Sequence, residues 1–338
     1  MVIRNGYDLQ IVTITIYYKT QLKFGGLPLI KRYSLIIFTM LLLLITACSN
    51  NNQADNKNQL TIQTTLYPLE YIASEIGGEH VHVETIYPPG VDAHTYEPTS
   101  KEITSLAKAD AFIYLGAGLE GFADTAASAL DKQDVELIEI GKHDSLFAHI
   151  DDKDNDDSHD HHDGSPIDPH IWLDPLRMNQ IADILYDELI NLDPENETDF
   201  KNNLTQFKQS MIDLNADFEK TLKDKENKNI LVTHAAYGYW ERIYGIKQLA
   251  ISGLSTSDEP SQKQLAEIAR LAKENNIHYV IYGQNDSNQT ADIIKEHIKA
   301  EKLQLHNLEV LTEDDLNNDA NYLSLMKDNL EVLDKATN

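Results

Sequence analysis

The sequence predicts an α/β fold: two (β/α) lobes with mostly parallel sheets, joined by one long backbone helix, with a cleft between the lobes. Two observations set the lobes. Short β-branched and aromatic runs alternate with helical periods from residue 60 to about 140, and again from 229 to about 335. A third sets the connection. Residues 195–225 place Phe200, Leu204, Phe207, Met211, Leu214 and Phe218 at steps of 3 or 4, the period of one unusually long helix.

In the first lobe, residues 60–66 ("LTIQTTL") read as a strand. "PLEYIASEIGG" reads as a helix, with Pro68 at its start and Gly77-Gly78 at its end. Residues 81–87 form a second strand, closed by Pro88-Pro89-Gly90. "TSKEITSLAKA" is a helix capped by Thr99 or Ser100, with Glu102 favourable in its first turn. Strands at 110–116 and 135–140 flank a helix near 119–131. Residues 141–170 carry neither period. A helix over 175–192 follows, interrupted by Asp193-Pro194 before the long helix, which at ~1.5 Å per residue can run from one lobe to the other. The second lobe places strands at 229–234, 246–252, 277–283 and 303–309. Helices near 236–244, 261–275, 288–299 and 320–335 alternate with them.

Residues 1–58 have the composition of a leader and a tether. Lys31-Arg32, an apolar run from Leu35 to Ile45, and Thr46-Ala47-Cys48 make a signal peptide. Cys48 is the sole cysteine, so no disulfide framework and no cysteine zinc ribbon is available. The Ile-Thr-Ala-Cys ending resembles the lipobox of bacterial lipoproteins, which implies lipidation at Cys48. The polar "SNNNQADNKNQ" behind it suits a tether better than the flank of a membrane span. Residues 1–28 precede the basic start of the signal peptide and are expected to be leader. Gly25-Gly26 and Leu29 are compatible with a ribosome-binding sequence and a TTG start codon in the gene. The boundaries expected are therefore 1–48 leader and signal peptide, 49–58 tether, 59–172 first lobe, 173–226 helical connector and 227–338 second lobe.

The charge balance excludes one large class of partner. With 55 Asp+Glu against 28 Lys+Arg and a formal net charge of -27, the surface repels nucleic acid. It suits an extracytoplasmic protein, or one that handles cations.

Most of the 13 histidines need no special role. Three differ by placement. His94 lies in the turn-rich "PPGVDAHTYEPT" after the second strand, His170 lies between two Asp-Pro pairs in "DPHIWLDP", and His234 ends the first strand of the second lobe in "LVTHAAYGYW". Ligands of open parallel sheets sit beyond the carboxyl ends of the strands, where these loops belong. Three neutral imidazoles are a strong donor set for Zn²⁺.

"TIYPPGVDAHTYEPT", "DPHIWLDP" and "THAAYGYW", in this order and with a long helix between the last two, resemble the zinc-binding lipoproteins of bacterial ABC importers, the high-affinity zinc uptake family of AdcA- and ZnuA-type proteins. The resemblance runs from about residue 60 to 335. It implies that His94, His170 and His234 bind the metal. It also implies capture of Zn²⁺ outside the membrane, delivery to an ABC permease, and a monomer lipid-anchored to the outer face of the cell membrane. Manganese-binding relatives typically carry Glu where this chain has His234, so Mn²⁺ is the less expected cargo. The resemblance implies a fourth, carboxylate ligand at the end of the strand in "IHYVIYGQNDSN", at the position where this chain has Gly283. Its absence leaves the fourth position to water or to Asp286, Asp258 or Glu259.

Between residues 151 and 165 the chain has seven aspartates and three histidines, His159, His161 and His162. This loop resembles the His-rich loop of zinc-specific members and implies an accessory, weak metal site. A solvated loop without a role is the bland alternative. Two other functions compete. A zinc hydrolase would use three histidines and an open position, but the chain has no His-Glu-x-x-His helix and no G-x-S-x-G elbow, so no enzyme is expected. A manganese importer component or an adhesin of the same family is the remaining alternative.

Overall fold

The computed structural model describes residues 59–149, 167–256, 258, 260–284 and 288–337. The first sheet is parallel, in the order β2-β1-β3-β4, with β1 Leu60–Thr64, β2 Val81–Thr85, β3 Ala111–Tyr114 and β4 Glu136–Glu139. The second is also parallel. It contains β7 Asn229–Val232, β8 Lys247–Ala250, β9 Tyr279–Gly283 and β10 Glu301–Leu305, in the order β10-β9-β7-β8. Read from its other edge this is β8-β7-β9-β10, so both sheets wind alike. In each, the chain steps outward once and then crosses over its first strand. Loops leaving β1 and β3, and those leaving β7 and β9, therefore part in opposite directions at the carboxyl ends.

Helices α1 Tyr67–Gly77, α2 Ser100–Leu106 and α3 Ala123–Leu130 belong to the first lobe. α6 Gly238–Tyr244, α7 Gln262–Glu274, α8 Gln289–Ile298, α9 Glu313–Asn317 and α10 Tyr322–Ala336 belong to the second. Thr99 is the cap of α2, in a reciprocal capping box with Glu102. The short α9, also opened by a capping box, Thr312 with Asp315, was not foreseen in the sequence.

Two helices connect the lobes. α4 Pro175–Leu192 starts at the residue expected, because the Asp174 carboxylate accepts from Leu176 N–H and Arg177 N–H and Pro175 occupies the first turn. α5 Glu197–Leu222 is the long helix, about 39 Å at 1.5 Å per residue. Its buried stripe is the one read from the spacing, extended to Leu222. α5 packs on α4, on α1 of the first lobe and on α10 of the second. The connection is therefore a helical layer buried against both lobes. The region read as aperiodic also holds a two-residue antiparallel ladder, β5 Ala148–His149 with β6 Ile167–Asp168.

One buried apolar cluster runs through both lobes, from Ile62 to Leu333, and a smaller one lies under α7 and α8. Aromatic pairs mark the junction: Tyr71 stacks on Tyr322 at 5.4 Å, and Phe218 meets Trp240 at 5.7 Å. The segment between β6 and α4 is stitched to the second lobe by side chains that bury their apolar bodies and spend their polar tips on main-chain carbonyls. Tyr239 OH donates to Asp168 O at 2.8 Å, Trp240 Nε1 to Leu173 O at 2.8 Å and Tyr322 OH to Trp172 O at 2.6 Å. Just beyond the carboxyl ends of β1 and β3 the buried Glu120 accepts from Thr65 Oγ1 at 2.6 Å, Leu115 N–H at 2.9 Å and Gly116 N–H at 2.8 Å.

Candidate metal centre

His94, His170, His234 and Glu309 converge, with one potential ligand atom from each lying within 4.8 Å of all the others. The ring centroids are 5.6 Å apart for His94 and His170, 6.1 Å for His94 and His234, and 5.6 Å for His170 and His234.

Each side chain is delivered by local structure. His94 follows β2 in a turn where Gly90 takes φ +76°. Its N–H donates to Asp92 Oδ1 at 2.8 Å, and the other oxygen of Asp92 accepts from Thr256 Oγ1 of the second lobe at 2.7 Å. His170 is fully buried two residues after β6. Asp168 Oδ1 accepts from its N–H at 3.1 Å and lies 2.9 Å from its Nδ1. A carboxylate only accepts, so the proton sits on Nδ1 and the lone pair of Nε2 faces the centre. Gly238, at the start of α6, is required here, because a Cβ would collide with the Asp168 carboxylate. His234 leaves the carboxyl end of β7, buried on the second lobe.

Glu309 lies four residues beyond β10 and is buried. The preceding Leu308 has φ +61°, a left-handed conformation that costs a branched L-residue about 1–2 kcal/mol. The loop is nevertheless over-determined. Trp172 Nε1 donates to Asn307 O at 2.7 Å, Tyr67 N–H to Glu309 O at 2.9 Å and Gly90 N–H to Leu311 O at 2.9 Å. A segment of the second lobe is thus held by main-chain and indole donors of the first.

The electrostatics favour a cation. Glu309 Oε1 stands 3.6 Å from His94 Nε2 and 3.7 Å from His170 Nε2, and these three buried atoms have no hydrogen-bond partner. Burying such atoms unpaired is costly, and a shared ion satisfies all of them at once. Burial pushes the Glu309 carboxyl up, but the contact with His94 and the charge that the three imidazoles can carry prevail and hold it below the usual range. Burial pulls His94 down, and the facing Glu309, with Asp92 and Asp258 behind it, raises it above its ordinary value. In a tetrahedral Zn²⁺ site with bonds of ~2.0–2.1 Å the ligand atoms are roughly 3.3 Å apart. The donor set and the spacing therefore fit that ion after a small contraction.

The structure brings His94, His170 and His234 together, as the placement of their loops suggested. The expectation for the fourth position changes. Gly283 ends β9 and offers no side chain, but a carboxylate is not missing: it comes from Glu309, one strand later. Asp258, whose carboxylate accepts from Ser255 N–H at 3.3 Å, is not in the group. Asp286 and Glu259 lie outside the described residues, as do Cys48 and the loop histidines His159, His161 and His162. Glu309 was missed because residues 303–309 read as one strand; β10 ends at Leu305. The available signal was the rule already applied to His234, a ligand-type residue at the carboxyl end of a strand.

Known proteins resemble this chain in sequence and in fold. The chain is 32% identical over 311 residues to the zinc-binding lipoprotein AdcA of Streptococcus pneumoniae, covering 91% of this chain and 61% of the relative's length. It is 29% identical to the high-affinity zinc uptake system protein ZnuA of Bacillus subtilis, over 90% of this chain and 97% of that protein. The crystal structure of the Zn(II)-bound ZnuA-like domain of S. pneumoniae AdcA superposes with a TM-score of 0.69 at 30% identity, covering 82% of this chain and 99% of that one. The family model for the zinc-uptake complex component A, periplasmic, matches residues 62–336, and the chain belongs to that family.

Proposed function

We propose that this chain captures Zn²⁺ outside the cell membrane and hands it to the permease of an ABC importer, with His94, His170, His234 and Glu309 as the four ligands. One observation carries the reading: three imidazoles and one carboxylate converge in a buried group, with Nε2 of His94, Nε2 of His170 and Oε1 of Glu309 lacking any hydrogen bond. An N₃O set of this kind suits four-coordinate Zn²⁺. Mn²⁺ prefers six oxygen-rich ligands and would leave its coordination unfilled. Four protein donors also occupy a tetrahedral shell. No position remains for the activated water that hydrolytic zinc requires, which favours a carrier over an enzyme.

The chain's own residues perform the cycle. The ionised Glu309 draws the cation into the cleft. Asp168 holds the His170 ring so that Nε2 presents a lone pair. Binding competes with protonation of His94, whose affinity for a proton is raised by Glu309, Asp92 and Asp258. Release follows when the permease shifts one lobe against the other and separates His234 from the ligands on the first-lobe side. A lipid at Cys48 would keep the monomer at the outer face of the membrane. His159, His161 and His162 would raise the local Zn²⁺ concentration through weak binding.

The chain spans about three-fifths of the AdcA relative's length, so the reading concerns this chain alone. The test is a competition titration of the mature protein from Ser49 with Zn²⁺ and with Mn²⁺, beside growth of a deletion strain in zinc-depleted medium. One tight Zn²⁺ site, lost in His170→Ala, with zinc-dependent rescue of growth, is expected. Absence of a tight site, or tighter Mn²⁺ than Zn²⁺ binding, would overturn the proposal.

A further inference from the structure

We infer that His306 is a positioning residue for the Glu309 carboxylate, acting through the backbone of Leu308, and that it thereby tunes the affinity of the metal centre. The inference rests on the reading of the four converging residues as the Zn²⁺ site. His306 is buried, three residues before Glu309, and is not in the ligand group. Both of its ring nitrogens are engaged. Nδ1 accepts from Leu308 N–H at 2.8 Å, and Nε2 lies 3.1 Å from Asp315 Oδ2. A nitrogen that accepts a main-chain N–H carries no proton, so the ring is neutral and its single proton points at Asp315. Asp315 is itself anchored, accepting from Thr312 N–H at 2.7 Å and from Gln284 Nε2 at 2.6 Å. The backbone of His306 is fixed on its other side: its N–H donates to Asn329 Oδ1, and Asn329 Nδ2 donates to its carbonyl, both at 2.8 Å.

What this anchored ring holds is the left-handed residue. Leu308 at φ +61° is a conformation that persists in a branched residue only where its surroundings over-determine it. The Leu308 N–H closes a short ring onto the imidazole two residues earlier, which selects that conformation. The turn it creates carries the chain from the end of β10 to Glu309, whose carbonyl is then met by Tyr67 N–H of the first lobe. The second lobe thus aims the carboxylate through His306, and the first lobe receives it. Were His306 merely core filling, any side chain of similar volume would serve, and the position of its acceptor atom would not matter.

That contrast supplies the experiment. In His306→Asn, the side-chain oxygen stands at the δ position and can accept from Leu308 N–H, although the contact with Asp315 is lost. His306→Gln moves the polar atoms one bond further and keeps a donor for Asp315 instead. His306→Leu has neither. Zn²⁺ affinity is measured by chelator competition, and Co²⁺ is used as a spectroscopic probe of the ligand set. Each variant is first melted without metal, and binding is read well below its Tm. Outer-shell partners typically change metal affinity by about 10–100-fold, and a loss in that range is expected for His306→Leu and His306→Gln. His306→Asn should recover most of it. The Co²⁺ spectrum of His306→Leu should move toward that of Glu309→Gln. In the Glu309→Gln background His306→Leu should cost less than about twofold, because the group through which it acts is gone. Equal losses in both backgrounds, or an Asn variant no better than Gln, would overturn the inference while leaving the metal site intact. Wild-type affinity in Glu309→Gln would instead overturn the site reading, and the role of His306 with it. If the Leu variant is too unstable to measure, the comparison of Asn with Gln decides.

Discussion

Replacing Asp168 leaves every donor atom of the centre in place and alters only what stands behind His170. Its Oδ1 lies 2.9 Å from His170 Nδ1 and 3.1 Å from His170 N. It therefore fixes the tautomer, orients the ring and raises the basicity of Nε2. Loss of such a partner lowers metal affinity by about 10–100-fold, or ~1.4–2.7 kcal/mol. The geometry orders two substitutions within that range. Asp168→Asn retains an oxygen that can accept both bonds, and the His170 N–H keeps that oxygen, and not the amide nitrogen, facing the ring. Only the charge is lost, and a decrease near tenfold is expected. Asp168→Ala removes both acceptors and frees the ring to rotate or to place its proton on Nε2, so its effect should approach 100-fold. The assay is competition with a chromophoric chelator near neutral pH, paired with the Zn²⁺-induced rise in Tm. With saturating Zn²⁺, a hundredfold loss of affinity removes about 2.7 kcal/mol of ligand stabilisation. Affinity within twofold of wild type in Asp168→Ala would refute the reasoning, as would an Asn variant weaker than the Ala variant.

Three further outcomes are expected. Glu309→Gln keeps the side-chain volume but removes a buried charge facing three imidazoles, and should weaken Zn²⁺ binding by about 2–5 kcal/mol in the same competition assay. Affinity should also fall with pH in a defined order. A protonated imidazole cannot ligate, and His94 is raised, so affinity is full above its elevated pKa and declines as pH drops through it. Glu309, held below the usual carboxylate range, stays ionised across that decline, so the first loss should follow uptake of a single proton, read as the slope of log affinity against pH. Thr256→Val removes the interlobe bond to Asp92 Oδ2 at 2.7 Å. At about 0.5–1.5 kcal/mol for a neutral hydrogen bond, somewhat more with an ionised acceptor, Zn²⁺ release to excess chelator should accelerate by a few-fold to roughly tenfold in stopped flow.

The parts of this protein that were legible in its sequence are those governed by local rules. The stripe of α5 and the Asp174-Pro175 start of α4 were readable because a period and a cap are properties of neighbouring residues. The three histidines were readable because each follows a strand or sits in a turn-bracketed motif. Glu309 was not, for a physical reason. "LQLHNLE" has the composition of a strand throughout, and what ends β10 at Leu305 is a tertiary contact joined to a local one: Asn329 takes the His306 main chain, and the His306 ring takes Leu308 N–H two residues on. No local rule places a left-handed leucine. The antiparallel β5–β6 pair was hidden in the same way, since two residues per strand are too few to show a period.

The interlobe packing bears directly on how such a centre can load and unload. Flexible closure of two lobes exposes and reburies an interface at each cycle, but here one apolar cluster is continuous through both lobes. The α5 layer, the Tyr71–Tyr322 stack and the bonds from Tyr239, Trp240 and Tyr322 to residues 168–173 would all resist a wide opening. The centre does not require one. Its donor atoms already lie within 4.8 Å of one another, against roughly 3.3 Å in a filled tetrahedral shell. Displacements on the order of 1 Å separate the two arrangements, and bonds of ~2 Å tolerate little more before a ligand is lost. A stiff hinge is therefore compatible with capture, and it makes release depend on an external push small in distance but directed at the lobe that carries His234.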